Sequence, residues 1–264
     1  MATTTHVAGA GESSSNAAKV KASKVLNIVH FIIPIVGVGS LAAFGRWFQG
    51  TYGWSAGLDS NSQIFEEVWM SFFYVETVLA IVVFGAVMTG IWMTRDRALD
   101  QLQPGEETKR YFRLTAMLLG YVFAVFFAGS YFAEQDASWH QTVVRDTSFT
   151  PSHIVLFYGS FPLYIILGFA SFMYARTRLP QFATRISVPY VLAIIGPLMI
   201  LPNVGFNEWG HTFWLMEEWF TAPLHWGFVV LGWTALALGG LLLQIVARFG
   251  QLLGMTYATA SEEA

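Results

Sequence analysis

The hydrophobic positions of this chain neither alternate nor form a narrow helical stripe. They gather into six continuous apolar runs separated by polar connectors: about Val25 to Gly45, Val68 to Met93, Leu114 to Phe132, His153 to Tyr174, Val188 to Gly205 and Leu224 to Val246. Each run is close to or above the ~20 residues that a helix needs to cross the hydrocarbon core of a bilayer. Continuous runs argue against a membrane β-barrel, whose strands alternate. The pattern predicts an all-α, polytopic integral membrane protein of about six transmembrane helices, with additional helical segments at the outer face.

Composition agrees with that pattern. Hydrophobic residues make up 55% of the 264 positions and charged residues only 12%, about half the charge usual in a soluble domain. No separate soluble domain is expected. Residues 1–24 are small and polar, end in Lys19, Lys21 and Lys24, and read as a flexible cytoplasmic tail. Residues 25–249 form the transmembrane domain carrying the candidate sites, and residues 250–264 a C-terminal tail. The first apolar run exceeds the roughly 7–15 residues of a signal-peptide core and is read as a membrane span.

The placement of charge says more than the net value of −3. Of fourteen Lys and Arg residues, all but Arg46 and Arg145 fall in the N-terminal tail, the 94–113 connector, the 175–187 connector or the C-terminal end. That asymmetry predicts cytoplasmic termini and outer segments at 46–67, 133–152 and 206–223. Eight of the ten tryptophans also cluster at the outer ends (Trp47, Trp54, Trp69, Trp139, Trp209, Trp214, Trp219 and Trp226), as if those segments pack into the membrane surface. On the sixth run Gly232, Ala235 and Gly239 share one small-residue face suited to close helix packing.

Against this background a few polar residues need explaining. Asp136 and His140 are four apart and project from one face of a helix; His153 opens the next apolar run and can fold back toward them. Asn207, His211 and His225 repeat the device: an acid or amide, a histidine four later, a reversal, then a histidine two residues after a proline. The two groups use four of the six histidines, whereas His6 and His30 have no matched partner and read as non-ligands. With no cysteine, thiolate ligands and iron–sulfur clusters are excluded, so a metal here takes nitrogen and oxygen donors. Two imidazoles with a carboxylate suit Fe(II), and imidazole equally suits copper or zinc. Ligand type leaves these open. A histidine at a helix end is ordinarily just an interfacial hydrogen-bonder; the repetition is what favours metal.

Other charges have competing readings. Glu76, about a third of the way into the second run, could be neutral, paired with a buried donor, or part of a proton path, and a structural role is preferred. Glu134, Glu208, Glu217 and Glu218 flank the histidines and could orient imidazole N–H groups or simply be solvated. Arg145 and Asp146 are expected to pair locally. No phosphate-binding glycine loop, catalytic serine triad or basic–aromatic nucleic-acid patch is present in the sequence.

Four stretches, YGWSAGLDS (52–60), TRDR (94–97), EQDASWHQTVVRDTSFTPSHI (134–154) and GPLMILPNVGFNEWGHTFWLMEEWFTAPLHWGF (196–228), closely resemble the C subunit of the copper membrane monooxygenases. That family comprises particulate methane monooxygenase, ammonia monooxygenase and related short-hydrocarbon monooxygenases. The resemblance covers about residues 45–235. It implies one copper site on Asp136, His140 and His153 and another on Asn207, His211 and His225, with zinc as a substitute at the same ligands. The Asn207, His211 and His225 group is the better candidate for the chemistry. The resemblance further implies A and B subunits as partners, a trimer of heterotrimers in a bacterial inner or intracytoplasmic membrane, membrane lipids, a quinol reductant, and O2-dependent hydroxylation of methane, ammonia or a short alkane. The wording DTSFTPSH and FYGSFP is closer to ammonia- or alkane-oxidising members. Two rivals stand beside this reading: a structural or copper-delivery scaffold subunit, and a cation or proton transporter. A transporter should string ionisable groups across the bilayer, whereas here they gather at one face.

Overall fold

The computed structural model describes residues 28–143, 149–199 and 224–262, and among these the regular structure is helical throughout. Helix α1 (Val29–Ala56) is followed by α2 (Gln63–Met93), which widens to a π-helical turn over Glu66–Met70. Helix α3 (Pro104–Phe126) passes through a π-helical segment, Phe127–Phe132, into α4 (Ala133–Thr142). Helix α5 (Pro151–Arg178) carries a π-helical stretch at Ile154–Ser160. Two shorter helices follow, α6 (Pro180–Thr184) and α7 (Val188–Ile195), the latter ending in a 3-10 turn at Gly196–Met199. The final helix is π-helical over Leu224–Leu238, α8, and continues as α9 (Gly239–Glu262).

Five helices are long and apolar enough to cross a membrane, and Val188–Leu198 is a sixth, shorter apolar helix. The remainder of the expected fifth span, past residue 199, lies outside the described residues. Starts are set by local chemistry. The Ser62 hydroxyl accepts from the Phe65 amide at the head of α2, and Ser187 accepts from the Tyr190 amide at the head of α7. Proline occupies the first turn of α3 and of α5, where a missing N–H leaves nothing unsatisfied. Helix α3 adds Glu106 and Glu107 to that turn, favourably placed against the helix dipole. The helices outrun the apolar runs at several ends: α1 continues past Gly45 to Ala56, and α2 begins five residues before Val68. A helix can continue into the interface while its side chains turn polar, so hydropathy marks the hydrocarbon crossing and not the helix end.

Helix α5 is the centre of the bundle, packed against α2, α3 and α7, and α1 packs on α3. Glycines permit the closest approaches. A Cβ at Gly120 of α3 would lie 2.7 Å from Pro34 of α1, and one at Gly168 of α5 would lie 2.8 Å from the Tyr121 ring of α3. Of the expected small-residue face on the last span, Ala235 is exposed and Gly232 and Gly239 are half-buried, and the neighbouring Gly240 rests on Pro189.

Pro197 has a useful consequence. It has no N–H to give the carbonyl of Ala193 four residues back, so that oxygen is free for other donors. The Tyr121 hydroxyl and Trp233 Nε1 both donate to it, each at 2.7 Å, tying α3 and α8 to α7. Tyr164 of α5 donates to the Pro197 carbonyl at 3.2 Å. All of these tie points are apolar-facing aromatics with one polar tip, which suits a bundle interior.

The opposite ends of the bundle differ in character. At the basic end Arg178 donates to the carbonyls of Ile91 and Thr94, Arg110 pairs with Asp96 at 2.7 Å, and Arg248 forks onto both oxygens of the buried Glu107 at 2.8 Å each. The other end carries Trp47, Trp54, Trp69 and Trp139 together with Asp136, His140 and His153.

Candidate metal centre

Asp136 and His140 stand on α4, the helical continuation of α3 beyond the apolar run, so their four-residue spacing does put them on one face. Helix α4 stops at Thr142 because Val143 adopts an extended conformation, its amide donating back to the Trp139 carbonyl at 3.0 Å. Residues 144–148 lie outside the described part. The chain re-enters with Thr150, held extended by the proline that follows, and α5 then starts at Pro151. His153 is thus in the first turn of α5, facing α4.

The three side chains converge. His140 Nε2 and His153 Nε2 are 3.1 Å apart, His140 Nε2 is 3.4 Å from Asp136 Oδ2, and His153 Nε2 is 3.4 Å from Asp136 Oδ1. One donor atom from each residue fits within a 4.8 Å set. Donors about 2.0–2.1 Å from a common ion at near-tetrahedral angles are expected about 3.3 Å apart, so these separations suit three ligands of one small transition-metal ion. The carboxylate is positioned for that task. Asp136 is 7% exposed, and its Oδ1 faces the His153 imidazole at 3.4 Å without a well-formed hydrogen bond. A buried carboxylate oxygen in that condition is costly unless a cation satisfies it. The His140 and His153 side chains keep 25% and 15% exposure, against 10% for the Asp136 side chain, so the carboxylate is the deepest of the three.

The surroundings hold the ligands in place. The His153 ring packs 5.2 Å from Phe157, one turn along α5. Trp139, between the ligands in sequence, is 6% exposed and lies 5.2 Å from the Trp54 ring of α1. Gly53 admits that indole: an added Cβ would stand 3.3 Å from Trp139. One turn on, a Cβ at Gly57 would fall 2.4 Å from the Pro151 ring and 3.1 Å from Trp69 Nε1. Sequence reasoning passes over this pair of glycines, although their spacing of four beside a cluster of tryptophans is the signal of a close contact. Trp69 and Trp139, expected at a membrane interface, are packed inside the protein, whereas Trp47 and Trp54 are exposed. Glu134 is exposed.

The second constellation lies largely outside the described residues. Asn207 and His211 lie outside the described residues, as do Glu208, Glu217, Glu218, Arg145 and Asp146. His225 lies in the first turn of α8, where only the backbone is described. His30 sits exposed near the start of α1, far along the sequence from either group. Glu76 points into a separate cavity between α1, α2 and α5.

No curated protein sequence matches the chain. A family model does, over residues 12–256, nearly the whole length. With its apolar helices and its converging Asp136, His140 and His153, the chain belongs to the family of the ammonia monooxygenase/methane monooxygenase C subunit, and is one component of a membrane monooxygenase complex.

Proposed function

We propose that this chain is the subunit of a copper-dependent membrane monooxygenase that holds copper at the outer face of the bilayer, for O2-dependent hydroxylation of methane, ammonia or a short alkane. The observation carrying the proposal is the convergence of Asp136, His140 and His153 at 3.1–3.4 Å around a carboxylate that is itself buried. Their donor set suits copper, for which imidazole is a good ligand. When bound and reduced, copper supplies the O2 activation that hydroxylation needs.

The chain's own residues do the rest. Asp136 offsets one positive charge, which anchors the ion where a bilayer boundary would otherwise disfavour it. The two imidazoles supply the neutral donors, and Phe157 packs against the His153 ring and holds it in place. Asn207, His211 and His225 form the second site in this reading. A neutral amide in place of the carboxylate makes it the weaker holder and the better candidate for exchange with O2 and substrate. The partners are the A and B subunits, in a trimer of heterotrimers in a bacterial inner or intracytoplasmic membrane, with a quinol as reductant. The basic end of the bundle faces the cytoplasm, as the distribution of Lys and Arg supports.

The test uses the assembled complex in native membranes. His153→Ala and His211→Ala are each compared with the parent for copper content and for O2 uptake dependent on methane, ammonia or butane. Loss of copper with loss of turnover in either variant is expected. Full turnover in both, despite lost copper, would leave only a scaffold or copper-delivery role.

A further inference from the structure

A cavity lies deeper in the bundle, away from Asp136, His140 and His153. It has a volume of about 410 Å³ and opens between α1, α2 and α5, lined almost wholly by apolar side chains such as Phe44, Phe72 and Val155. Its lip is formed by Leu41 of α1 with Val75 and Leu79 of α2, which are 55%, 65% and 58% exposed on the apolar outer surface of the bundle. Both helices are long and apolar enough to cross a membrane, so the mouth opens on the apolar flank of the bundle.

One polar side chain lines this cavity from α2. Glu76 presents a carboxyl whose Oε1 is buried and has no hydrogen-bond partner among the described residues. The carboxyl is seated deliberately. Gly159 of α5 has no side chain at the point of contact, and a Cβ there would stand 2.8 Å from Glu76 Oε2. Gly159 falls in the π-helical stretch of α5, a distortion frequent at functional sites. The size lies within the range of small-molecule pockets, which are mostly apolar with a few fixed polar groups.

We propose that this cavity binds a lipid-soluble hydrophobe bearing a single hydroxyl group, which enters from the bilayer and donates its O–H to Glu76. A plain acyl chain would fill the apolar volume but leave the carboxyl oxygen unsatisfied, which is the costly arrangement. A charged or strongly polar molecule would find only Glu76 and the hydroxyl-bearing Tyr158 and Ser160 in an otherwise apolar wall. A hydroxylated hydrophobe satisfies both parts of the lining. The proposal does not depend on metal at Asp136, His140 and His153.

The test is photolabelling of the whole complex in native membranes with azioctanol, an aliphatic alcohol carrying a diazirine, followed by peptide mapping. Label is expected on residues lining the cavity, competed by decanol and not by decane. Glu76→Met, which keeps the length but cannot accept the hydrogen bond, should lower cavity labelling about five-fold, the scale of one hydrogen bond. Leu79→Trp, a change at the lipid-facing lip that leaves the interior untouched, should also lower it by obstructing the mouth. Competition by decane equal to that by decanol, or unchanged labelling in Glu76→Met, would mean a lipid-filled groove and overturn the proposal. Label spread evenly along the exposed face of α2 would do the same.

Discussion

Gly57 illustrates how closely the ligand end is built at the level of single residues. An added methyl would lie 2.4 Å from both the Gly53 carbonyl oxygen and the Pro151 ring, and neither is the far end of a flexible side chain. Gly57→Ala should therefore push α5 away from α1 just where His153 starts, destabilising by roughly 1–3 kcal/mol. Thermal unfolding of the detergent-extracted complex would measure it, with a concurrent fall in copper bound at the proposed site. Tyr121 offers a milder case. Its hydroxyl serves the carbonyl released by Pro197, so Tyr121→Phe removes one donor while Trp233 still serves the oxygen. About 1 kcal/mol of stability should be lost, seen as a lowered midpoint in the same assay, with helix content unchanged by circular dichroism.

At the scale of elements, the bundle is latched where helices meet at the basic end. Arg248 of α9 reaches Glu107 of α3 through two bonds of 2.8 Å, and Glu107 is only 3% exposed. Removing the arginine leaves a buried carboxylate alone, so Arg248→Ala should cost about 3–5 kcal/mol. The double change Glu107→Leu with Arg248→Leu should recover most of that stability, because it removes both charges together. Unfolding of the two variants side by side checks the claim, and equal destabilisation would show that the pair acts by packing alone. The distribution of helices was legible in the sequence at this scale. Continuous apolar runs mark the spans, and Pro104, Pro151, Ser62 and Ser187 mark helix starts through their own local chemistry. The π-helical segments and the extension of α3 into α4 were not, because a run of small and aromatic residues such as Phe127–Phe132 suits several helical windings, and neighbouring helices select among them.

For the whole molecule, the connector between α2 and α3 is held to α3 by Asp96 and Arg110. The Asp96 carboxyl is held below the ordinary carboxylate range, first by the Ala98 backbone N–H and next by the Arg110 side chain. A depressed folded value means that its contribution is fully present above the usual aspartate value near 3.9 and is lost as pH falls through the lower folded one. Stability of the complex should thus show an acid limb below about pH 4, diminished in Asp96→Asn. Thermal unfolding across that range would check it, and an identical limb in the variant would assign the acid loss to other carboxylates. Partner contacts belong to this scale as well. The span in α2 buries almost nothing within the chain, and its Tyr74, Val75, Val78 and Ile81 are exposed, as suits a helix that faces lipid or another protein of the complex.

What the sequence determined by itself follows from short-range physics. Its apolar runs settle that the chain crosses a membrane, its lack of cysteine limits ligands to nitrogen and oxygen, and four-residue spacing settles that Asp136 and His140 share a helical face. What only the tertiary structure decided is distance between segments far apart along the chain. That His153 comes within 3.1 Å of His140 depends on the angle between α4 and α5. That angle is set by Gly53 and Gly57, which admit the buried Trp139 indole and the Pro151 ring beside the buried Trp69. The same holds for Glu76, which in sequence is one acid in an apolar run and whose cavity exists because Gly159, more than eighty residues later, leaves room for it. Hydropathy and spacing report on a residue and its near neighbours; the packing of one helix against another decides which of those residues can act together.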